Sequence, residues 1–277
     1  MVLADHLKDG QVLVVAPGRS LGALETAWLL RIGGCSADVT IVEAQGLPYW
    51  YDEAGSILTL SQAASMPAAT LPSGRSETLS ALKKYFPNLV MFDSVLASGF
   101  SDGSALVEVP TLMMGGAALQ SGAISIPMGG KILEENRTFA SLIGPSQKAV
   151  ISKLTEERHR VAKSFGVRNL PSPAKMIDTY GGSLRGDYSR PIPSQKMSKS
   201  LLRCGVIGSL VPLQSAGKIA NVQVPVTDAM ITLASSILGA DVSAAGRRLE
   251  AIGIDSGDID TARRAMDAIA TGEKYGR

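Results

Sequence analysis

The stretch that decides the fold lies in the second half of the chain and reads Leu202-Arg203-Cys204-Gly205-Val206-Ile207-Gly208-Ser209-Leu210-Val211-Pro212-Leu213. Three shorter segments follow it: Gln223-Val224-Pro225-Val226-Thr227-Asp228, Ile237-Leu238-Gly239-Ala240-Asp241 and Gly246-Arg247-Arg248-Leu249-Glu250-Ala251-Ile252-Gly253-Ile254. From about residue 112 onward the sequence pattern favours helices and loops over strands. The second half is therefore predicted to be a helical domain.

The clearest helix is predicted over residues 145–165, where Pro145 stands near the start and apolar residues recur at helical spacing. Further helices are predicted over residues 228–238, 243–251 and 259–270. Residues 170–196 are rich in Pro, Gly and Ser, and we expect them to be irregular.

The first half reads as alternating strands and helices. Residues 11–16 form a short apolar run that ends at Pro17-Gly18, residues 21–32 have a helical pattern, and residues 39–42 are again rich in β-branched side chains. Strand–helix–strand with short loops predicts a βαβ unit and a parallel sheet. The same patterns predict strands over 56–60 and 67–71 and helices over 76–85 and 93–99. The fold class is therefore α/β followed by all-α, with the boundary near residues 110–118.

Composition excludes several classes of protein. The 27 Lys and Arg residues and 25 Asp and Glu residues are well mixed and aromatic residues make up 5%, so no nucleic-acid surface is expected. No apolar window approaches the ~20 residues of a membrane span, and no signal peptide is visible. Cys35 and Cys204 lie far apart without metal-ligand spacing. We expect a cytoplasmic protein without a metal and without a membrane partner.

Segments from both halves together resemble the octopine/nopaline (opine) dehydrogenase family. The first is Leu7-Lys8-Asp9-Gly10-Gln11-Val12-Leu13-Val14-Val15-Ala16-Pro17-Gly18-Arg19, and Val42-Glu43-Ala44 through Leu47-Pro48-Tyr49 is the second. The stretch 202–213 and the closing Gly246-Arg247-Arg248-Leu249-Glu250 are similar to the family's substrate domain. No single motif is specific, but their order along the chain matches the family.

The resemblance implies a Rossmann-like domain over residues 1–114 and a helical substrate domain over 115–277. It also implies an oxidoreductase that uses NAD or NADP to condense an amino acid with a 2-oxo acid. The dinucleotide fingerprint G-x-G-x-x-G occurs nowhere in the sequence, so we expect the N-terminal part of the nucleotide domain to be missing. The residues expected near the cofactor are those of the turn after the first strand: Pro17, Gly18, Arg19 and Gly22.

The catalytic positions implied by the resemblance hold other residues. Val109 stands before Pro110 where the family has a histidine, Ser200 replaces an arginine, and Gly205 replaces an aspartate. Glu108, expected on an extended segment, and Arg203 are the candidates to replace them, because a carboxylate can move a proton and a guanidinium can bind a carboxylate.

Two main functions stay open. One is an opine-dehydrogenase-type oxidoreductase that is truncated or catalytically impaired as a lone chain, in which an unpaired sheet edge favours a homo-oligomer or a companion chain. The other is a non-catalytic ligand-binding or regulatory protein derived from the same fold. A third is a divergent reductase that uses Glu108, Arg203 or Tyr180. The histidines, His6 and His159, are expected to lie outside any catalytic site.

Overall fold

A small sheet carries the first half of the molecule. The computed structural model describes residues 3–54, 56–62, 65–115, 138–185, 188–190 and 192–273. The strands of the first half are β1 (Val12–Val15), β2 (Thr40–Ala44), β3 (Tyr49–Ala54), β4 (Ile57–Gln62), β5 (Met66–Leu71) and β6 (Leu89–Met91). Four of them form one sheet in the order β1-β2-β5-β6, while β3 and β4 pair separately as a hairpin. The helices of this half are α1 (Gly22–Ile32), α2 (Ser76–Leu82) and α3 (Val95–Ser101).

The sheet is mixed, which corrects the parallel sheet predicted from the sequence. β1 pairs with β2 in parallel and β5 with β6 in parallel, but β2 and β5 are antiparallel, with Ile41 opposite Leu71. A parallel neighbour needs a long crossover, usually a helix. Here the β3–β4 hairpin fills the connection between β2 and β5, so the chain re-enters the sheet in the opposite direction.

Helices make up most of the second half. They are α4 (Ser104–Met114), α5 (Pro145–Ser164), α6 (Pro173–Met176), α7 (Gln195–Gly205), α8 (Val211–Ile219), α9 (Pro225–Leu238) and α10 (Ile259–Thr271). A π-helix, Val206–Leu210, joins α7 to α8, and a second one spans Ile177–Gly182. The short strands β7 (Ser183–Arg185) and β8 (Tyr188–Ser189) form another hairpin. The predicted order of an α/β layer followed by helices is confirmed.

Residues 104–114 are helical, which corrects the extended segment expected around Glu108 and Val109. Every residue from Ala105 to Leu112 is buried, and Pro110 lies inside the helix. A helix that is apolar on all sides belongs in a core. Packing on all sides thus outweighs the weak helix propensity of Val107, Val109 and Pro110.

The predicted helix over 243–251 is also wrong. This segment is made of turns and ends in a short 3₁₀ helix, Glu250–Ile252. The carboxylate of Asp241 accepts hydrogen bonds from the backbone N–H groups of Ser243 and Ala244, which favours a turn over a helix.

α9 begins three residues earlier than predicted because its cap comes from another helix. The two carboxylate oxygens of buried Glu157, on α5, accept hydrogen bonds from the N–H groups of Val226 and Thr227 at 2.8 and 2.9 Å. A carboxylate there satisfies the unpaired donors of the helix start and its positive dipole end. Pro225 at the first position of α9 is a local start signal, but the capping carboxylate itself comes from a distant part of the sequence.

The apolar core is continuous between the two halves. One cluster runs from Leu24 and Ile41 on the sheet side to Val161 and Leu210 among the helices. A smaller cluster on the other face of the sheet includes Val42, Ala68 and Leu89. The boundary near residues 110–118 stays a prediction; α4, which ends at Met114, packs against α5 and α7.

Candidate functional site

The turn after β1 is docked onto the helical half. The backbone N–H of Ser20 donates to the carbonyl oxygen of Gly208 at 3.0 Å, and the Arg19 guanidinium donates to Ser104 Oγ at 3.0 Å. Arg19 and Leu21 adopt positive φ angles of 54° and 65°. Non-glycine residues rarely do so, and the contacts to the π-helix hold the chain in this conformation.

Arg247 covers the same turn from above. Its guanidinium donates to the carbonyl oxygens of Gly18 and Ser20 at 3.0 and 3.2 Å and forms an ion pair with Glu25. The guanidinium nitrogen also lies 3.4 Å from the place where a Cβ on Gly22 would be. Of the four residues predicted to lie near a cofactor, only Pro17 is exposed, whereas Gly18 and Gly22 are buried and Arg19 is half-buried.

Glu43 lies directly beneath the turn and is completely buried. Its carboxylate accepts hydrogen bonds from the N–H of Ala23 at 3.1 Å, from Ser98 Oγ at 3.0 Å and from Gln45 Nε2 at 3.0 Å. Burial raises its pKa to about 7, although the hydrogen bonds and the charge of Arg247 oppose the shift. The carboxylate accepts a hydrogen bond from the first turn of α1, so the Ala23 N–H at this helix start already has an acceptor.

Sequence reasoning did not single out Glu43 as a functional residue. The available signal was a carboxylate within an otherwise apolar strand, since a buried strand rarely contains a charge without a partner for it.

Val109 and Gly205 face each other where α4 crosses α7. Val109 is fully buried, and a Cβ built on Gly205 would lie 3.0 Å from Val109 Cγ2. The structure therefore brings together the two positions at which the resemblance implies a histidine and an aspartate. Ser200 and Arg203 lie exposed on α7. The contact at the crossing is apolar and closed.

Glu108 is buried and committed to another residue. It forms an ion pair with Arg190 at 2.7 Å, and Arg190 also donates to the carbonyl oxygen of Tyr180 at 2.7 Å. The Arg190 guanidinium stacks 4.2 Å from the centre of the Phe139 ring. Glu108 and Arg203, the two candidates from the sequence, are not brought together, because the first is paired in the core and the second is exposed.

A polar cluster lies beside these helices around a small cavity. Asp102 accepts from the N–H of Ser104 at 3.0 Å and from Ser209 Oγ at 3.1 Å. Arg158 is 2% exposed and donates to the carbonyl oxygen of Pro171 at 3.1 Å, while its Nε has no partner. Asp102, Ser209 and Arg158 line a cavity of about 20 Å³, which has room for roughly one water molecule.

Titration in this cluster follows its burial. Burial lowers the pKa of Arg158 to about 10, although the nearby Asp102 charge opposes the shift. Burial and the Asp102 charge raise the pKa of Tyr180 well above its usual range, so its hydroxyl stays protonated at neutral pH. His159, expected to lie outside any catalytic site, is half-buried, and burial and the charge of Arg158 lower its pKa. The cluster offers a buried guanidinium with an unpaired Nε, a group that suits a carboxylate, beside the Asp102 carboxylate on the same cavity wall.

Neither a metal-ligand cluster nor a membrane-spanning helix occurs among the residues that the structure describes. Those residues contain no group of three or more His, Cys, Asp or Glu side chains that could hold a metal ion. Within the same ranges, no helix is long and apolar enough to cross a bilayer.

Comparison with known proteins confirms the resemblance seen in the sequence. The chain is 26% identical to the opine dehydrogenase of Arthrobacter sp. (strain 1C) over 265 residues, which cover 91% of this chain and 70% of the relative. The fold matches octopine dehydrogenase solved with NADH and pyruvate, with a TM-score of 0.66 and 16% identity, over 99% of this chain and 74% of that one.

A second structural relative is yersinopine dehydrogenase with NADP+ bound. Its TM-score is 0.52 at 12% identity, over 95% of this chain and 72% of that one. No protein-family model matches the chain. The α/β layer followed by a helical domain is thus the octopine dehydrogenase fold.

Proposed function

We propose that this chain is an opine-dehydrogenase-type oxidoreductase that is catalytically impaired when it acts alone. One observation carries the proposal: the crossing of α4 and α7, where the resemblance implies a proton-transferring histidine with an aspartate near it, holds Val109 against Gly205. Neither side chain can exchange a proton, and general acid–base catalysis requires a titratable group within hydrogen-bond reach of the substrate. The similarity to opine dehydrogenase supports the reaction class.

The neighbouring carboxylates do not restore the missing chemistry. Glu108 is neutralised by Arg190 in the core, and Asp102 accepts from Ser104 and Ser209. Arg203 is exposed on α7 and does not meet Glu108. The proposal therefore assigns no shared catalytic step to Glu108 and Arg203, and the protonated hydroxyl of Tyr180 lies partly buried beside Asp102.

NAD or NADP is the proposed cofactor of this fold, since the structural relatives were solved with NADH or NADP+. The turn at residues 17–22 does not itself fit a phosphate group. Glu43 already accepts from Ala23 N–H at the start of α1, and Arg247 covers Gly22. We therefore assign no phosphate contact to Gly18 or Gly22, and the proposed substrates remain an amino acid and a 2-oxo acid.

The sheet edge supports the proposed homo-oligomer or companion chain. β1 pairs with β2 on one side, and no other described strand pairs with it on the other side. Val12 on this edge is 44% exposed. An unpaired edge with an exposed β-branched residue is a template for another strand.

A second candidate function is non-catalytic binding of a carboxylate ligand. Arg158 favours it, because a buried guanidinium with an unpaired Nε beside a cavity is costly unless an anion or water satisfies it. The cavity is too small for a substrate in this conformation, so a carboxylate ligand would have to widen the cavity beside Arg158.

Titration calorimetry and a turnover assay test the proposal together. The purified chain is titrated with NADH and with NADPH, then assayed with both nucleotides, pyruvate and mixed amino acids. The opine dehydrogenase of Arthrobacter is the positive control. Nucleotide binding with a Kd in the micromolar range but without turnover would support the proposal. Turnover of ~1 per second or faster would overturn the impairment, and absence of binding at ~1 mM nucleotide would favour the second candidate.

A further inference from the structure

A surface cavity opens at the end of the sheet that lies opposite to the turn at residues 17–22. Its volume is about 420 Å³, within the range of roughly 300–1,000 Å³ typical of small-molecule sites. It lies at the carboxyl ends of β5 and β6, whose parallel pairing places both at the same end of the sheet. The turn follows β1, which runs parallel to β2, whereas β5 runs antiparallel to β2. The carboxyl end of β5 therefore lies at the opposite end of the sheet from the turn. The cavity shares no lining residue with the cavity beside Arg158.

Two opposite charges line the cavity without pairing with each other. Arg263, on α10, and Asp93, after β6, both contribute to the wall. Among the residues that the structure describes, neither forms an ion pair or a hydrogen bond, and the buried Nε of Arg263 has no partner. The two charged groups therefore lie farther apart than the 4 Å of an ion pair, and each is available to contact a ligand in the cavity.

The rest of the wall supplies a hydroxyl group and an apolar surface. The Oγ of Ser73 is buried without a partner, while the backbone N–H of Ser73 donates to the Asp267 carboxylate at 2.7 Å. That bond ties the β5–α2 loop to α10. Leu79 and Phe92 add apolar surface beside these polar groups. Unsatisfied buried polar atoms are uncommon in proteins, because each costs free energy unless it finds a hydrogen-bond partner.

We infer that this cavity binds a zwitterionic α-amino acid with an apolar side chain. Its carboxylate contacts Arg263 and Ser73 Oγ, its ammonium group contacts Asp93, and its side chain packs against Leu79 and Phe92. The two charges of the wall cancel, which matches a zwitterion. A phosphate would meet the Asp93 carboxylate and be repelled. The inference goes beyond the proposed function and does not depend on it, because the two sites lie at opposite ends of the sheet.

Calorimetric titration of the full chain with L-leucine tests the site. We expect a Kd below about 1 mM. L-leucine amide, which lacks the carboxylate, and 4-methylpentanoate, which lacks the ammonium group, should each bind at least about tenfold more weakly. Inorganic phosphate should give no measurable heat. Backbone NMR shifts at residues 70–76, with none at 205–210, would locate the ligand in this cavity.

Charge variants with matched controls complete the experiment. Arg263→Gln and Asp93→Asn should each weaken leucine binding about tenfold or more. Arg264→Gln, at the exposed neighbouring position of α10, and Asp178→Asn, on the exposed side of the π-helix, should leave it unchanged. Asp93 is exposed, so its variant tests binding without disturbing the core. Absence of binding at ~10 mM leucine, preference for phosphate, or unchanged binding in both cavity variants would overturn the inference.

Discussion

A Cβ atom on Gly205 would lie 3.0 Å from Cγ2 of Val109, so these two residues close the crossing of α4 and α7 against each other. Both are buried, and Ala105 lies next to them, 3.4 Å from the same Cβ position. Small residues let two helices approach closely, and the close approach in turn leaves no space for a titratable side chain. The crossing therefore holds no titratable side chain at either of these two positions.

The gain in stability from Gly205→Ala should be limited by the contact with Val109. Replacing glycine by alanine inside a helix normally stabilises by about 1 kcal/mol, but overpacking here costs about 1–3 kcal/mol. In a Val109→Ala background the methyl group has room, so the same substitution should be more favourable by at least about 1 kcal/mol. Urea denaturation of the parent chain, the two single variants and the double variant measures this coupling. Additive effects of the two substitutions would show that the residues do not touch.

The Glu108–Arg190 pair should be necessary for stability. Glu108→Ala leaves a buried guanidinium without its partner, and we expect a loss of about 3–5 kcal/mol in the free energy of unfolding. Lys153 and Glu156 form an exposed pair on α5, so Glu156→Ala should change it by less than about 1 kcal/mol. Guanidinium denaturation compares the two variants. Equal, small effects would mean that Glu108 is solvated in solution.

Glu43 should make stability fall as pH rises. Its pKa is about 7 in the folded chain against an ordinary value of 4.5, so the folded state holds a proton that the unfolded state releases between these values. The stabilisation is complete below pH 4.5 and is lost through pH 7, by at most about 3 kcal/mol. Thermal melts across this window measure the slope. Glu43→Gln should flatten it, whereas the exposed Glu77→Gln should not; an unchanged slope in Glu43→Gln would contradict the assignment.

Arg247 should hold the turn at residues 17–22 closed. Arg247→Met removes two hydrogen bonds to the turn and the ion pair with Glu25, and should cost about 1–3 kcal/mol. Hydrogen–deuterium exchange at residues 18–23 should speed up in this variant. Arg248→Met, at the exposed neighbouring position, is the control. Protection of the turn that is equal in both variants would show that Arg247 is dispensable.

The β1 edge should mediate association. Val12→Lys places a charge on the unpaired edge, and charged side chains block strand pairing. We expect the parent chain to associate with rising concentration in analytical ultracentrifugation and the variant to do so less. Ile57→Lys, at an exposed position of the separate β3–β4 hairpin, is a matched control. A parent chain that stays monomeric with one sharp melting transition would remove support for pairing at this edge.

Local patterns were enough to predict β1, β2, β5, α1, α5 and α10, because each is defined by its own apolar spacing and its own turn residues. The helix over 104–114 was missed because Pro110 and two valines argue against it locally, and only burial on all sides favours it. The early start of α9 was missed although Pro225 is a local start signal, and the carboxylate that caps this helix belongs to Glu157, 68 residues before Pro225. The antiparallel pairing of β2 with β5 depends on the direction in which the chain leaves the β3–β4 hairpin.

The sequence by itself determined the order of sheet and helices and the resemblance to the opine dehydrogenases. It also determined that Val109 and Gly205 stand where the resemblance implies a histidine and an aspartate. The order of the elements, the resemblance and the identity of residues 109 and 205 all follow from residue type and spacing along the chain. Only the tertiary structure decided that Val109 meets Gly205, that Arg190 neutralises Glu108, that Glu43 and Arg247 close the turn, and that Arg263 and Asp93 share a cavity. Each of these depends on residues distant in sequence, and their distances are set by packing, which no local pattern records.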